Sequence, residues 1–145
     1  MSENKINLRR VGIFTQQSEQ QIYDFLQHWF IPHGIEMSWL EEGFKSKDAL
    51  DLVISFGGDG TVLAALSLFP QCPVLAVNFG NVGFLTAGDR EELADMLKSV
   101  LNGNFIISER SVLKCEHAHG IDYAVNEIVI RGATRLIAVE LSIND

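Results

Sequence analysis

One short, glycine-rich segment of the chain has the composition of a phosphate-binding loop. Residues 57–61 spell GGDGT and lie between two apolar runs, the order expected of a strand, a tight turn and a helix start. Gly57, Gly58 and Gly60 allow positive φ angles and a close approach of the backbone to a ligand. The N–H groups of such a turn, continued by Thr61 at the helix N-terminus, would hold a phosphate.

Asp59 is the residue of this loop that needs a chemical explanation, because a carboxylate repels a phosphate. It could hold a metal ion that bridges to the phosphates, or accept the proton of a hydroxyl that attacks the terminal phosphate. Both roles indicate phosphoryl transfer. The structural alternative is a plain strand-to-helix connection in which Asp59 caps the helix.

A second glycine-containing turn, residues 78–85 with the sequence NFGNVGFL, also follows an apolar strand. Ligands of open α/β sheets bind at the carboxyl ends of the strands, so the two turns are predicted to face one crevice. The alternative is a surface turn with Phe84 packed into the core.

The elements around these turns alternate between strands and helices. Apolar patterns predict four strands and three helices, and the near-continuous run at 72–77 is typical of a parallel strand covered on both faces. The predicted strands are 8–14, 35–40, 49–56 and 72–77, and the helical segments are 22–30, 62–69 and 93–100. The fold class is therefore α/β, Rossmann-like or flavodoxin-like, with a parallel sheet.

The pattern changes near residue 103, where an Asn-Gly-Asn stop is followed by sequence without helical periodicity. Strands are predicted at 105–115, 121–131 and 136–143. We therefore divide the chain into an α/β nucleotide-binding domain at 1–103 and the beginning of an all-β domain at 104–145. Three such strands leave one apolar face uncovered, so we expect this second part to be incomplete or covered by a partner.

Composition limits the possible partners. The 145 residues are 47% hydrophobic, enough for a core, and the net charge of −8 disfavours nonspecific nucleic-acid binding. No apolar run approaches the length of a membrane span, and the N-terminus has no apolar signal core. Cys72 and Cys115 form no CxxC pair, which indicates reduced thiols in the cytoplasm. Asp51 is predicted to be solvated.

Three motifs in this order resemble the N-terminal part of the NAD kinase family: GGDGT at 57–61, NxGxxGFL at 78–85 and an Asn-Glu pair within 124–130. The first motif is shared with lipid kinases, and its GGDG part with phosphofructokinases. The second and third together make the resemblance specific, and it extends from Val11 onward.

The resemblance implies transfer of the ATP γ-phosphoryl group to the 2′-hydroxyl of the adenosine ribose of NAD, which gives NADP. Asp59 would be the catalytic carboxylate, and residues 57–61 the phosphate loop. For Asp59→Asn, a nearly isosteric change, we expect lower turnover with NAD affinity within a few-fold. The implied NAD-binding residues are Asp59, Gly60, Phe84, Leu85, Asn126, Glu127 and Arg135.

The resemblance also implies ATP with Mg²⁺ as the substrate complex and a homo-oligomer, dimer or tetramer, for the complete protein. No metal site is expected from the protein alone, since His117 and His119 supply too few ligands. The family continues with an Asp-Gly strand and a Thr-Gly-Ser-Thr-Ala-Tyr segment, so the resemblance implies a fragment whose own activity is open. The alternatives are a lipid kinase catalytic domain of the diacylglycerol or sphingosine type, or a non-catalytic nucleotide-binding module.

Overall fold

A computed structural model describes residues 6–15, 20–40, 49–79 and 83–143. Strands in these ranges are β1 Arg10–Thr15, β2 Glu36–Leu40, β3 Leu52–Phe56, β4 Val74–Asn78, β5 Gly88–Asp89, β6 Leu113–His117 and β7 Gly120–Ala124. Helices are α1 Gln20–Phe30, α2 Asp59–Leu68 and α3 Leu93–Leu101, and a short 3₁₀ turn, Ile31–His33, follows α1.

The first five strands form one parallel sheet in the order β2-β1-β3-β4-β5. This is the flavodoxin-like order, so the predicted α/β fold with a parallel sheet is confirmed. The direction in which strands are added reverses between β1 and β3. A crevice therefore opens at the carboxyl ends of these strands, where β3 leads into residues 57–61.

Helices cover both faces of the sheet because right-handed crossovers that run in opposite directions place their helices on opposite sides. Ile54 of β3 packs with Leu26 of α1 and Leu97 of α3 on one face, and all three are fully buried. The neighbouring Val53 packs with Ala65 of α2 on the other face. Each large buried side chain contributes about 1.5–3 kcal/mol, so this double cover fixes the strand that carries the loop.

The C-terminal part has less regular structure than its sequence predicts. The strands predicted at 105–115 and 121–131 shorten to β6 and β7, which pair as an antiparallel hairpin. The strand predicted at 136–143 is wrong, because these described residues have no regular structure. Apolar alternation marks one face, but a strand also needs a neighbour for its backbone N–H and C=O groups.

Helix α3 ends at Leu101, and Gly103 adopts a positive φ of 73° just after it, which confirms the predicted helix stop. The domain boundary near residue 103 itself stays a prediction. Among the described residues, no helix combines the length and the apolar character needed to cross a bilayer.

Candidate functional site

The GGDGT loop lies at the predicted place, between the end of β3 and the start of α2. Gly57 has a φ of 153° and donates its N–H to the carbonyl of Val77 at 3.0 Å. A Cβ atom at Gly57 would lie within 2.3 Å of the Thr61 hydroxyl oxygen, and Thr61 is buried. Position 57 therefore requires glycine for both its dihedral angle and its space.

Gly58 and Gly60 differ from Gly57 because they face open space. A Cβ atom at either position would meet no described heavy atom within 4 Å beyond its chain neighbours. Helix α2 begins at Asp59, and the Gly58 carbonyl accepts the N–H groups of Thr61 at 3.0 Å and Val62 at 3.2 Å. The donors left for an anion are therefore the N–H groups of residues 58–60, which precede these two. The loop thus offers exposed backbone donors to an anion.

The Asp59 carboxylate joins the two predicted turns. Its Oδ1 accepts the N–H of Leu85 at 3.0 Å, and its Oδ2 accepts the N–H of Phe84 at 3.1 Å. Gly58, not Asp59, precedes the helix, and no side-chain hydrogen bond caps it. The alternative in which Asp59 caps the helix is therefore wrong, and the two turns lie side by side at the carboxyl edge of the sheet.

Gly83 and Phe84 show how the second turn is built against Asp59. A Cβ atom at Gly83 would lie 2.4 Å from Asp59 Oδ1, so only glycine lets the turn come this close. Phe84 is 98% exposed, and the alternative in which its ring packs into the core is wrong. Residues 80–82, the middle of the predicted turn, lie outside the described residues.

A basic side chain also lies at this edge. The Arg90 guanidinium stacks on the Phe79 ring, 5.3 Å from its centroid, and Phe79 meets the Phe56 ring edge-on, also at 5.3 Å. Arg90 directly follows β5, which pairs with the end of β4. Sequence reasoning missed it, because a two-residue strand has no recognisable pattern. The aromatic contact places a positive charge beside the two turns.

An apolar cleft of about 670 Å³ brings the third motif near the first two. Val62 of α2, Leu85 of the second turn and Val125 line it together with other residues. Asn126 and Glu127 follow Val125 and are exposed, and among the described residues no hydrogen bond joins their side chains to Asp59.

Arg135 lies in an exposed bend, where a Cβ atom at Gly132 would meet its carbonyl oxygen at 2.1 Å. Among the described residues, no hydrogen bond, ion pair or ring contact joins the Arg135 side chain to the two turns.

The histidines of the β6–β7 hairpin bond to their own neighbours. His117 Nε2 lies 3.0 Å from Asp122 Oδ2, and His117 Nδ1 accepts the N–H of His119 at 3.2 Å. His119 lies in the turn between β6 and β7. Across the part of the chain that the structure describes, no three His, Cys, Asp or Glu side chains are grouped to hold a metal ion.

The opposite edge of the sheet has its own bonded carboxylate. Asp51 Oδ2 accepts the N–H groups of Arg9 at 2.7 Å and Arg10 at 2.9 Å, so this half-buried carboxylate has backbone partners that its sequence context does not indicate. Beside it, the Cys72 thiol donates to the Leu50 carbonyl at 3.4 Å. Burial, and secondly the negative charge of Asp51, raise the pKa of Cys72 to about 11.

The flavodoxin-like sheet and the glycine loop at its carboxyl edge define the class as an α/β protein with a glycine-rich strand-to-helix loop. The family model described as the ATP-NAD kinase N-terminal domain matches residues 9–105. The chain therefore belongs to the NAD kinase family, which confirms the resemblance.

The sequence relatives agree with this assignment. The chain is 35% identical to an NAD kinase of Methanothermobacter thermautotrophicus, where the match covers 72% of this chain and 38% of the relative. It is 36% identical to an NAD kinase of Clostridium perfringens, over 95% of this chain and 56% of the relative. The chain thus spans about half or less of the length of most curated relatives it matches, and these relatives do not favour the lipid kinase alternative.

Solved structures support the fold. Yeast NADH kinase, in a complex with NADH, has a TM-score of 0.64 at 21% identity, over 82% of this chain and 47% of that one. An Archaeoglobus fulgidus NAD kinase, in a complex with ATP, has a TM-score of 0.60 at 21% identity, over 77% and 45%.

Proposed function

We propose that this chain carries the nucleotide-binding part of an NAD kinase, which transfers the γ-phosphoryl group of ATP to the 2′-hydroxyl of the adenosine ribose of NAD. The observation that supports this most directly is the position of Asp59. Its carboxylate lies where exposed backbone donors of one turn meet an exposed aromatic ring of the other. A phosphoryl donor and a nucleoside acceptor need these two surfaces next to each other.

In this proposal the N–H groups around Gly58 and Gly60 bind the ATP phosphates. The ribose oxygen attacks the γ-phosphorus, the bond to the bridging oxygen breaks, ADP leaves, and Asp59 accepts the hydroxyl proton. An ionised carboxylate offers about four acceptor positions, so the two N–H bonds of Asp59 leave acceptors for the hydroxyl. Because a carboxylate is a weak base towards a sugar hydroxyl, the proton moves late and orientation is the larger effect.

The NAD contacts are proposed from the same geometry. The exposed Phe84 ring would stack on the adenine, and Leu85 would pack beside it in the cleft. Asn126 and Glu127, at the rim next to Val125, have the donors and acceptors that a ribose or a base requires. The remaining proposed NAD contacts, which rest on the family resemblance, are Gly60 and Arg135.

Mg²⁺ would enter as the ATP complex. It keeps several water ligands, so one or two carboxylates and the phosphates are enough to hold it. We also propose a cytoplasmic enzyme that forms dimers or tetramers and has neither nucleic acid nor membrane as a partner. Support comes from the free thiols of Cys72 and Cys115 and the net charge of −8. The α/β nucleotide-binding domain would span residues 1–103, with the β segment from 104 onward contributing to the NAD site.

NADP formation from NAD, ATP and Mg²⁺ tests the proposal, measured with an NADP-specific dehydrogenase on this chain, alone and within any longer natural polypeptide that contains it. We expect NADP formation that requires Asp59. Phosphorylation of diacylglycerol or sphingosine in place of NAD would contradict the proposal. Binding of ATP and NAD without turnover in every form would instead support a non-catalytic module.

A further inference from the structure

The second turn is attached to the loop through the Asp59 carboxylate. We propose that Asp59 is a positioning residue for residues 83–85, so that its negative charge contributes to NAD binding as well as to the transfer step. The identity of the ligand rests on the proposed function, whereas the attachment itself rests only on the geometry of the chain.

The bonding of Asp59 requires a carboxylate and not merely a polar side chain. Each oxygen accepts one N–H, Oδ1 from Leu85 and Oδ2 from Phe84. An asparagine at this position has one oxygen and one NH₂ group, and the NH₂ group would face an N–H donor. One of the two donors would then lose its partner, although the side chain keeps its shape.

Among the described residues, a hydrogen bond from the Thr86 hydroxyl to the Gly83 carbonyl at 3.5 Å is a further attachment of this turn. The Phe84 ring is 98% exposed, so packing does not hold it. Gly83 lies so close to Asp59 that any side chain there would overlap Oδ1. The carboxylate therefore holds the backbone of this turn, and the backbone in turn sets the position from which the Phe84 side chain projects.

The two hydrogen bonds of Asp59 also determine which part of the site can bind phosphate and which can bind a nucleoside. Two consecutive N–H groups, of Phe84 and Leu85, would otherwise form an anion site, but the chain's own carboxylate occupies them. Phosphates are therefore directed to Gly58 and Gly60, and the second turn serves the nucleoside. This changes the expectation for Asp59→Asn, since NAD affinity should fall together with turnover.

Asp51 offers a matched control, because its Oδ2 alone accepts both of its N–H bonds. An amide oxygen can replace Oδ2, so Asp51→Asn keeps the arrangement that Asp59→Asn loses. The experiment compares the two variants by NMR amide exchange without ligand, by NAD binding in calorimetry, and by kcat and KM.

For Asp59→Asn we expect exchange of the Phe84 and Leu85 amides to accelerate at least about tenfold, while the buried Ala65 region of α2 keeps its protection. NAD dissociation constants should rise at least about tenfold, which corresponds to about 1.4 kcal/mol. For Asp51→Asn, the exchange at residues 84 and 85 and the NAD affinity should match the wild type.

A second variant, Gly83→Ala, tests the same contact in case Asp59→Asn does not fold. Gly83→Ala should weaken NAD binding in the wild type, where the methyl group meets Oδ1, but add little in an Asp59→Ala background, where that oxygen is gone. Unchanged exchange at residues 84 and 85 in Asp59→Asn, or additive effects of the two substitutions, would overturn the positioning role.

The outcomes separate this inference from the proposed function. If kcat falls in Asp59→Asn while exchange and NAD affinity stay at wild-type values, Asp59 acts in chemistry alone and the inference fails. If the wild type binds no NAD but Asp59→Asn still releases the two amides, the attachment is upheld and the proposed ligand is wrong.

Discussion

The two edges of the sheet each carry an aspartate that accepts the N–H groups of two consecutive residues. At the amino edge, Asp51 uses one oxygen and holds Arg9 and Arg10, where β1 already pairs with β3. At the carboxyl edge, Asp59 uses both oxygens and holds a turn beside open space. The bonding is alike, but the surroundings differ.

This difference shows that the hydrogen bonds of a carboxylate do not by themselves indicate a functional site, because the surroundings must also leave room for a ligand. Asp51 lies beside a half-buried thiol, at an edge where chain enters the sheet. Asp59 lies between two exposed glycines and an exposed phenylalanine, at the edge where parallel strands present ligand sites.

The largest expected effect is on turnover. Asp59→Ala removes the proposed proton acceptor and the attachment of the second turn, so NADP formation should fall at least about 100-fold. Asp51→Ala should leave turnover within about twofold and lower the free energy of unfolding by about 1–3 kcal/mol, because two backbone donors lose their acceptor. Steady-state kinetics measure the turnover of both variants, and urea unfolding measures their stability. Equal losses of turnover in Asp59→Ala and Asp51→Ala would contradict the functional difference between the two aspartates.

Glycines at the two edges provide the next test. Gly34→Ala, at the amino edge, introduces a side chain at a φ of 66° into open space and should cost about 1–2 kcal/mol. Gly57→Ala adds overlap with Thr61 to a φ of 153° and should cost at least about 3 kcal/mol. Thermal unfolding compares them, and a milder effect at Gly57 would contradict the described loop.

Arg90 should have a smaller effect, on affinity. Arg90→Ala removes a positive charge from the carboxyl edge and should weaken ATP or NAD binding by a few-fold, an effect that shrinks at high salt. Arg9→Ala, at the amino edge, is the matched control and should leave binding unchanged. Calorimetry at two salt concentrations measures the ligand affinity of both variants. Equal affinity losses in the two variants would show that Arg90 does not contribute to the site.

The smallest effect concerns Cys72. Its pKa of about 11 lies above the ordinary 9.0, so the folded thiol keeps its proton where the unfolded one loses it. Stability should therefore fall as pH rises from about 9 to 11. Asp51→Asn should lower this pKa, because the charge of Asp51 helps to raise it. Urea unfolding as a function of pH measures the change in stability, and alkylation rates as a function of pH measure the pKa of Cys72. An alkylation profile that Asp51→Asn leaves unchanged would show that the charge of Asp51 does not act on this thiol.

The sheet could be predicted from sequence because strand and helix periodicities differ and glycine marks the turns. The order of its strands follows from handedness and short connections only after the elements are known. Residues 136–143 show the limit, since alternation predicts a strand without stating whether a neighbour pairs with it.

The site was less predictable than the fold. The loop can be recognised in the sequence because its conformation requires glycine at particular positions. The hydrogen bonds of Asp59 cannot, because its partners are backbone N–H groups 25 and 26 residues away, which any residue except proline supplies. The partners of Asp51 cannot be predicted for the same reason, because they are N–H groups 41 and 42 residues away. Arg90 gave no sequence signal.

The separation of 25 and 26 residues between Asp59 and its partners has a consequence for folding. Helix α2 can form locally, but these bonds form only after α2, β4 and the following turn are in place. Closing the chain segment between Asp59 and its partners also costs conformational entropy. The carboxylate and the turn therefore meet late on the folding route, as non-local contacts do. An intermediate that contains the sheet core but not β4 would have the loop sequence without a site.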